Sequence, residues 1–281
     1  PGAGLLDVVL GAAREALGPG PRQLSDVAFH QPIAFRDAGE QRTIQLTLTP
    51  ERDGWSFAVL GRGDDGGWAR HATGRIDGAA PVEGSAGFSS LDELRRACPQ
   101  ELSVPRCYEQ LAALGLRFGD SFRRIEQLWA GEHQSLALIS FPAEFAAEAR
   151  HHHLFPGALD SCFQSVLGAA GAADPGSLTE QFTPLAVQRL LLQRPAGARM
   201  LCHASHAARQ SFGGETFRAD LRLYDEDGAP LGALLGLQLK RAPRAAVYQV
   251  IGRDDAGPPL LAPGWEPRPL TSEAARPPAR W

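Results

Sequence analysis

Lysine is almost missing from this chain: Lys240 is the only one in 281 residues, so nearly all of the 28 basic side chains are arginine. With 32 acidic residues the formal net charge is -4, and no basic stripe interleaved with aromatics appears, which argues against nucleic acid as a partner. The arginine bias, together with abundant Ala and Gly, reads as a G+C-rich bacterial coding signature rather than a functional device. No apolar run approaches the length of a membrane span, and no charged segment followed by an apolar core opens the chain, so no membrane partner and a cytoplasmic location are expected. Cysteine is scarce as well. Cys98, Cys107, Cys162 and Cys202 are scattered without a Cys-x-x-Cys pair or metal-ligand spacing, and read as reduced thiols. No low-complexity linker breaks the middle of the chain, which allows one large unit or two fused small ones.

What is present gathers around residues 151–170. Pro156 suits the first turn of a helix, where its missing amide hydrogen would have no intrahelical partner. From there Leu159, Cys162, Phe163, Val166 and Leu167 recur at three- and four-residue steps, so the helix reads as buried. Asp160 and Gln164 lie one turn apart on it and project to the same side. A buried carboxylate has two readings: a structural one, in which Asp160 caps a neighbouring turn, and a chemical one. The run His151–His153 just before reads as a solvated loop, because no second cluster of Cys, His or carboxylates is spaced to complete a metal site.

Residues 1–17 repeat this pattern. Pro1-Gly2-Ala3 parallels Pro156-Gly157-Ala158, and Val9-Leu10-Gly11-Ala12-Ala13 parallels Val166-Leu167-Gly168-Ala169-Ala170, which predicts a second central helix ending at Gly18-Pro19 and an internal duplication. After the first helix, strands are predicted over Val27–Phe35, Thr43–Leu48, Trp55–Leu60 and Trp68–Ile76, with turns at 37–39, 53–54 and 63–67. After the second they are predicted over Leu185–Leu192, Arg199–Ser205, Thr216–Tyr224 and Leu231–Lys240. A short amphipathic helix at 90–98, a helix at 105–116 and strands near Ile125–Trp129 and Ser135–Phe141 lie between. The expected fold is α+β, a double hotdog: two fused units, each a long central helix wrapped by an antiparallel sheet, the first lacking its leading strands in this chain. The expected divisions are an N-terminal hotdog over 1–80, a connector over 81–104, a C-terminal hotdog over 105–244 and a Pro-rich interdomain linker over 245–281.

Phe155-Pro156-Gly157-Ala158-Leu159-Asp160-Ser161-Cys162-Phe163-Gln164 resembles the His-Pro-x-x-Leu-Asp-x-x-x-Gln signature of the dehydratase domains of modular polyketide synthases, with Phe155 where the family usually has His. Tyr108, Gly115, Gly119 and Phe122 match the family's Tyr-x-x-x-x-x-x-Gly-x-x-Tyr-Gly-Pro-x-Phe motif, which this chain leaves at Phe118 and Asp120. The stretch Trp68–Gly74 is similar to the strand that closes the family's first hotdog. The family's remaining motif, His-x-x-x-Gly-x-x-x-x-Pro, would place its Pro at Pro1 and its His nine residues before it.

The resemblance implies an enzyme that removes water from a β-hydroxyacyl thioester carried on the phosphopantetheine of an acyl carrier protein. Asp160 would be the acid, Gln164 its hydrogen-bond partner, and the upstream His the base. None of His30, His71, His133, His203 or His206 follows the base's pattern, and His71 reads as structural. For Asp160 to be an acid near neutrality it must be buried against apolar walls, for which Leu159, Phe163 and Phe155 are candidates. Unpaired amides at Gly2 to Gly4 would meet charge developing on the thioester oxygen. Gly2, Gly4, Tyr108, Phe118, Phe155, Pro156 and Leu159 are the expected substrate-binding residues. Neither a diffusible cofactor nor a metal is implied. The expected partners are the carrier protein and neighbouring domains of the same synthase, and a homodimer is compatible. Two other readings stand beside this one: an isomerase that shifts a double bond with the same groups, and a non-catalytic scaffold that lacks the base.

Overall fold

A computed structural model describes residues 2–18, 22–35, 39–78, 87–141, 152, 154–173, 178–207 and 214–242. Residue 1, positions 37–38, His151, His153 and the tail from 245 therefore lie outside the described residues.

Helix α1 (Gly2–Leu17) is apolar on almost every side over its first three turns, and Ala3, Leu6, Val9, Leu10 and Ala13 enter the core. Its last turn is exposed, and Gly18 follows at φ +85°, the left-handed conformation that ends helices without a Cβ clash. Four strands come next: β1 (Arg22–Phe29), then β2 (Ile44–Glu51), β3 (Gly54–Arg62) and β4 (Trp68–Gly78), of which β2–β4 form a meander whose last strand returns beside β1. α2 (Leu91–Ala97) is set by a capping box in which Ser90 and Glu93 each satisfy the other's backbone amide. β5 (Gln100–Leu102) and α3 (Val104–Ala113) follow, the latter capped by Ser103 with Pro105 in its first turn. After a 3-10 turn at Asp120–Phe122 come β6 (Ile125–Gly131), β7 (Gln134–Ser140) and α4 (Pro156–Ala173). The last four strands are β8 (Gln181–Leu192), β9 (Arg199–Ser205), β10 (Thr216–Tyr224) and β11 (Pro230–Ala242).

All eleven strands form one antiparallel sheet in the order β2-β3-β4-β1-β8-β11-β10-β9-β7-β6-β5. The two halves thus share a single sheet, joined at a seam where β1 pairs with β8 from Arg22↔Leu192 to Ala28↔Ala186. α1 packs on β1 and β3, α4 packs on β5, β6, β7 and β9, and the two helices pack on each other. One continuous apolar core contains Leu6, Leu24 and Phe57 of the first half with Ile139, Leu159 and Leu237 of the second. This is the double hotdog. β1–β4 all follow α1, whereas β5–β7 precede α4.

Two expectations shift. The first strand runs over Arg22–Phe29 rather than 27–35, because its pairing with β4 and β8 begins at Arg22. A register shift between Ser25 and Ala28, with Asp26 at φ 50°, interrupts the alternation there. The stretch expected as connector contributes β5, which pairs with β6 through Leu102↔Leu128. α2 covers the sheet's other face, where Leu94 and Cys98 pack with Leu136, Leu201 and Tyr224.

Candidate active site

The beginning of α4 is held by side chains that its own sequence supplies. Phe155 accepts backbone hydrogen bonds from Ala158 and Leu159 and so opens the helix, with Pro156 needing no partner. A Cβ on Gly157 would lie 2.0 Å from the carbonyl oxygen of Ser121, so only glycine lets the helix approach the 3-10 turn this closely. Ser161 Oγ donates toward the carbonyls of Gly157 at 2.9 Å and Phe122 at 3.2 Å, and accepts from the Arg124 amide at 3.3 Å. These contacts fasten the helix to the turn before β6.

Asp160 lies within this latch and is buried, with 8% of its surface exposed. Gln164 Nε2, one turn along, donates to Asp160 Oδ2 at 2.7 Å and to the Phe122 carbonyl at 3.0 Å. Burial raises the Asp160 carboxyl above the ordinary carboxylate range, and the hydrogen bond from Gln164, which favours the charged form, works against that rise. Leu159, Phe163 and Phe155 are buried in the same core. Chemically, the result is a carboxylic acid that keeps its proton to higher pH than a solvated aspartate and is fixed in orientation by a single amide.

The other anticipated positions fall in two further places. Tyr108 is buried, its hydroxyl accepting from the Ile125 amide at 3.3 Å, and its ring meets Phe118 edge-to-face at 6.4 Å. Both line a cavity of about 320 Å3 with Leu116, Arg117 and Arg123, and the Arg123 guanidinium lies 4.8 Å above the Tyr108 ring. Asp160 is not among the residues that line it. Gly2 and Gly4 open α1; a Cβ on Gly2 would touch the Phe29 ring at 3.2 Å, while one on Gly4 would meet nothing within 4 Å among the described residues. Phe155, Pro156 and Leu159 are buried at the head of α4, Phe155 edge-to-face with Phe141 at 6.1 Å.

The chain matches the family model described as polyketide synthase dehydratase N-terminal domain over residues 86–248, more than half its length, and that described as polyketide synthase dehydratase domain over residues 1–62. It belongs to the polyketide synthase dehydratase family. Among curated relatives, it is 26% identical to polyketide synthase PksM of Bacillus subtilis over 97% of this chain and 7% of that protein. It is 28% identical to a mycocerosic acid synthase-like polyketide synthase of Mycobacterium tuberculosis over 100% of this chain and 13% of that protein. The chain therefore corresponds to a small part of these large relatives. Among solved structures, the dehydratase domain from the CurJ module of curacin polyketide synthase superposes with a TM-score of 0.76 at 28% identity, covering 88% of this chain and 84% of that one. An N-terminal dehydratase from the difficidin assembly line, at 16% identity and a TM-score of 0.76, shares the fold.

Two polar residues of this dehydratase-family chain escaped the sequence reading. His152, read with its neighbours as part of a solvated loop, is instead largely enclosed, and its Nδ1 lies 2.5 Å from Asp7 Oδ2 on α1. Its side chain is 9% exposed and that of Asp7 is 8% exposed. A charged residue in the apolar run of α1 was the available signal for Asp7, the same signal that singles out Asp160. His71, read as structural, is buried in β4 with Nδ1 2.9 Å from the Gln31 carbonyl. Among the described residues no helix is long and apolar enough to cross a membrane.

Proposed function

We propose that this segment dehydrates a β-hydroxyacyl thioester on an acyl carrier protein to an α,β-enoyl thioester. The observation that carries the reading is the buried Asp160 carboxyl, raised by its surroundings and oriented by Gln164. Asp160 gives its proton to the β-hydroxyl as the carbon–oxygen bond breaks and water departs. A neutral imidazole takes the α-proton, and the electrons of that carbon–hydrogen bond form the new double bond. The imidazolium and the Asp160 carboxylate then return to their starting states by net transfer of one proton. The family's His-x-x-x-Gly-x-x-x-x-Pro motif assigns the base to a histidine nine residues before Pro1. The related CurJ dehydratase, at 28% identity, is inactive when a histidine is replaced by phenylalanine, which supports a histidine in this role.

Amides in the first turn of α1 suit the negative charge that grows on the thioester oxygen, and no described atom within 4 Å of a Cβ on Gly4 obstructs it. Tyr108 and Phe118 suit the wall of the acyl or pantetheine path. The carrier protein and the adjoining domains of a synthase are the partners this chemistry requires. The test supplies a β-hydroxyacyl pantetheine thioester to the full-length protein and follows the enoyl product by mass. Product from the wild type and its loss in Asp160→Asn support the assignment; equal turnover by both proteins removes Asp160 from the chemistry.

A further inference from the structure

The part-buried pair His152–Asp7 joins parts of the chain 145 residues apart, and the dehydration scheme gives it no task. Asp7 lies in α1, whereas His152 lies just before α4, separated from its opening residue Phe155 by two positions. The imidazole meets the Phe155 ring edge-to-face at 5.8 Å. Phe155 in turn anchors the first turn of α4 through the amides of Ala158 and Leu159, immediately before Asp160. A displacement of His152 therefore passes through Phe155 to the acid.

Stability alone is a poor explanation for such a pair. Removing a carboxylate and an imidazole from water is costly, and apolar residues of similar volume usually serve a core as well or better. The cost is not fully offset here, since Asp7 Oδ1 is buried with no hydrogen-bond partner among the described residues. What a directional polar contact supplies and an apolar one does not is a fixed relative position of the two elements it joins. The chain also carries Phe155 where its family's signature usually has an imidazole, so the ring nitrogen at this helix entrance comes from three residues earlier.

We propose that the His152–Asp7 pair is a positioning clamp that sets the separation between the first turns of α1 and α4, and hence between the Gly2–Gly4 amides and the Asp160 carboxyl. The proposal rests on the dehydration reading for its catalytic consequence. In the full-length protein, His152→Phe keeps a ring against Phe155 but removes the polar contact, Asp7→Asn keeps the shape but removes the charge, and His152→Asn places an amide donor near the former Nδ1. Turnover of a β-hydroxyacyl pantetheine thioester should fall by roughly 10-fold or more in kcat for His152→Phe, with KM changed by less than about 2-fold, since misplaced reacting groups cost rate rather than binding. His152→Asn should recover most of that loss, and His152→Phe combined with Asp7→Asn should be no slower than the slower single variant. Unchanged kcat in His152→Phe, no recovery in His152→Asn, or losses that multiply in the double variant would overturn the clamp. Absence of enoyl product from the wild type would instead overturn the dehydration reading. The clamp is then judged by hydrogen exchange of residues 2–6 and 156–160: faster exchange in both segments of His152→Phe supports it, and wild-type exchange in either refutes it.

Discussion

Gln164 Nε2 bridges Asp160 Oδ2 and the carbonyl of Phe122, at 2.7 Å and 3.0 Å, so one amide group ties the candidate acid to the turn before β6. Removing it with Gln164→Ala leaves two buried acceptors without that donor, at a cost of roughly 1–3 kcal/mol. It also removes the interaction that lowers the Asp160 pKa, so the acid keeps its proton to still higher pH. A lower melting temperature is expected, together with a high-pH limb of kcat shifted upward. A limb that moves down would contradict the role given to Gln164.

Asp160→Asn retains shape and much of the hydrogen bonding but has no transferable proton. Dehydration should drop by about 10²–10⁴-fold, the usual range for losing a general acid or base, while near-ultraviolet circular dichroism stays that of the wild type.

The same variant has a pH-dependent effect on stability. The folded-state pKa of Asp160 is raised, so the native protein binds more protons than the unfolded one between the ordinary aspartate value, about 3.9, and the raised value. Stability associated with this residue is full below that window and is lost as pH rises through it. The melting temperature of Asp160→Asn relative to wild type should therefore climb with pH across the window. A difference that stays flat or declines over a calorimetric pH series counts against a raised pKa.

His203 has the opposite sign. Burial, with the nearby Arg222 charge, lowers its pKa to about 4, and Nε2 shares a 2.9 Å hydrogen bond with Gln134 Oε1. Between pH 6.5 and about 4 the unfolded chain binds the extra proton, so stability present above that window is lost as pH falls through it. The loss should reach about 3 kcal/mol by the acid end. Replacing His203 with Gln should remove that part of the pH dependence in chemical denaturation, leaving the other groups' contribution.

Gly157→Ala tests the latch on α4. The added methyl meets the Ser121 carbonyl oxygen at 2.0 Å, and one of the two backbones must move. A cost of roughly 1–3 kcal/mol is expected from such overpacking, read as a lower denaturation midpoint with an unchanged slope. An unaffected midpoint would mean that the turn yields freely.

Much of this architecture was readable because helix and strand periodicities act locally. The central helices were legible from their apolar faces and Pro-Gly-Ala openings, and Arg199–Ser205 and Thr216–Tyr224 were anticipated with the ends they have. β5 was missed because three residues are too few to alternate, and β1 was displaced because Asp26 at φ 50° breaks its pattern. The β1–β8 seam was illegible since alternation tells which face a residue occupies, not which strand lies beside it. At the site, the Asp160–Gln164 pair was legible because four residues is one helical turn. The pairing of His152 with Asp7 was not. A triple histidine looks solvated until a carboxylate 145 residues away is brought against it.

The β1–β8 seam also limits how the two halves can move. From Arg22 to Ala28 the first half exchanges backbone hydrogen bonds with Ala186 to Leu192 of the second, so the halves cannot swing apart like the leaves of a hinge without unzipping the middle of the sheet. On the proposed dehydration, a substrate would then enter by displacing side chains rather than by parting the two halves.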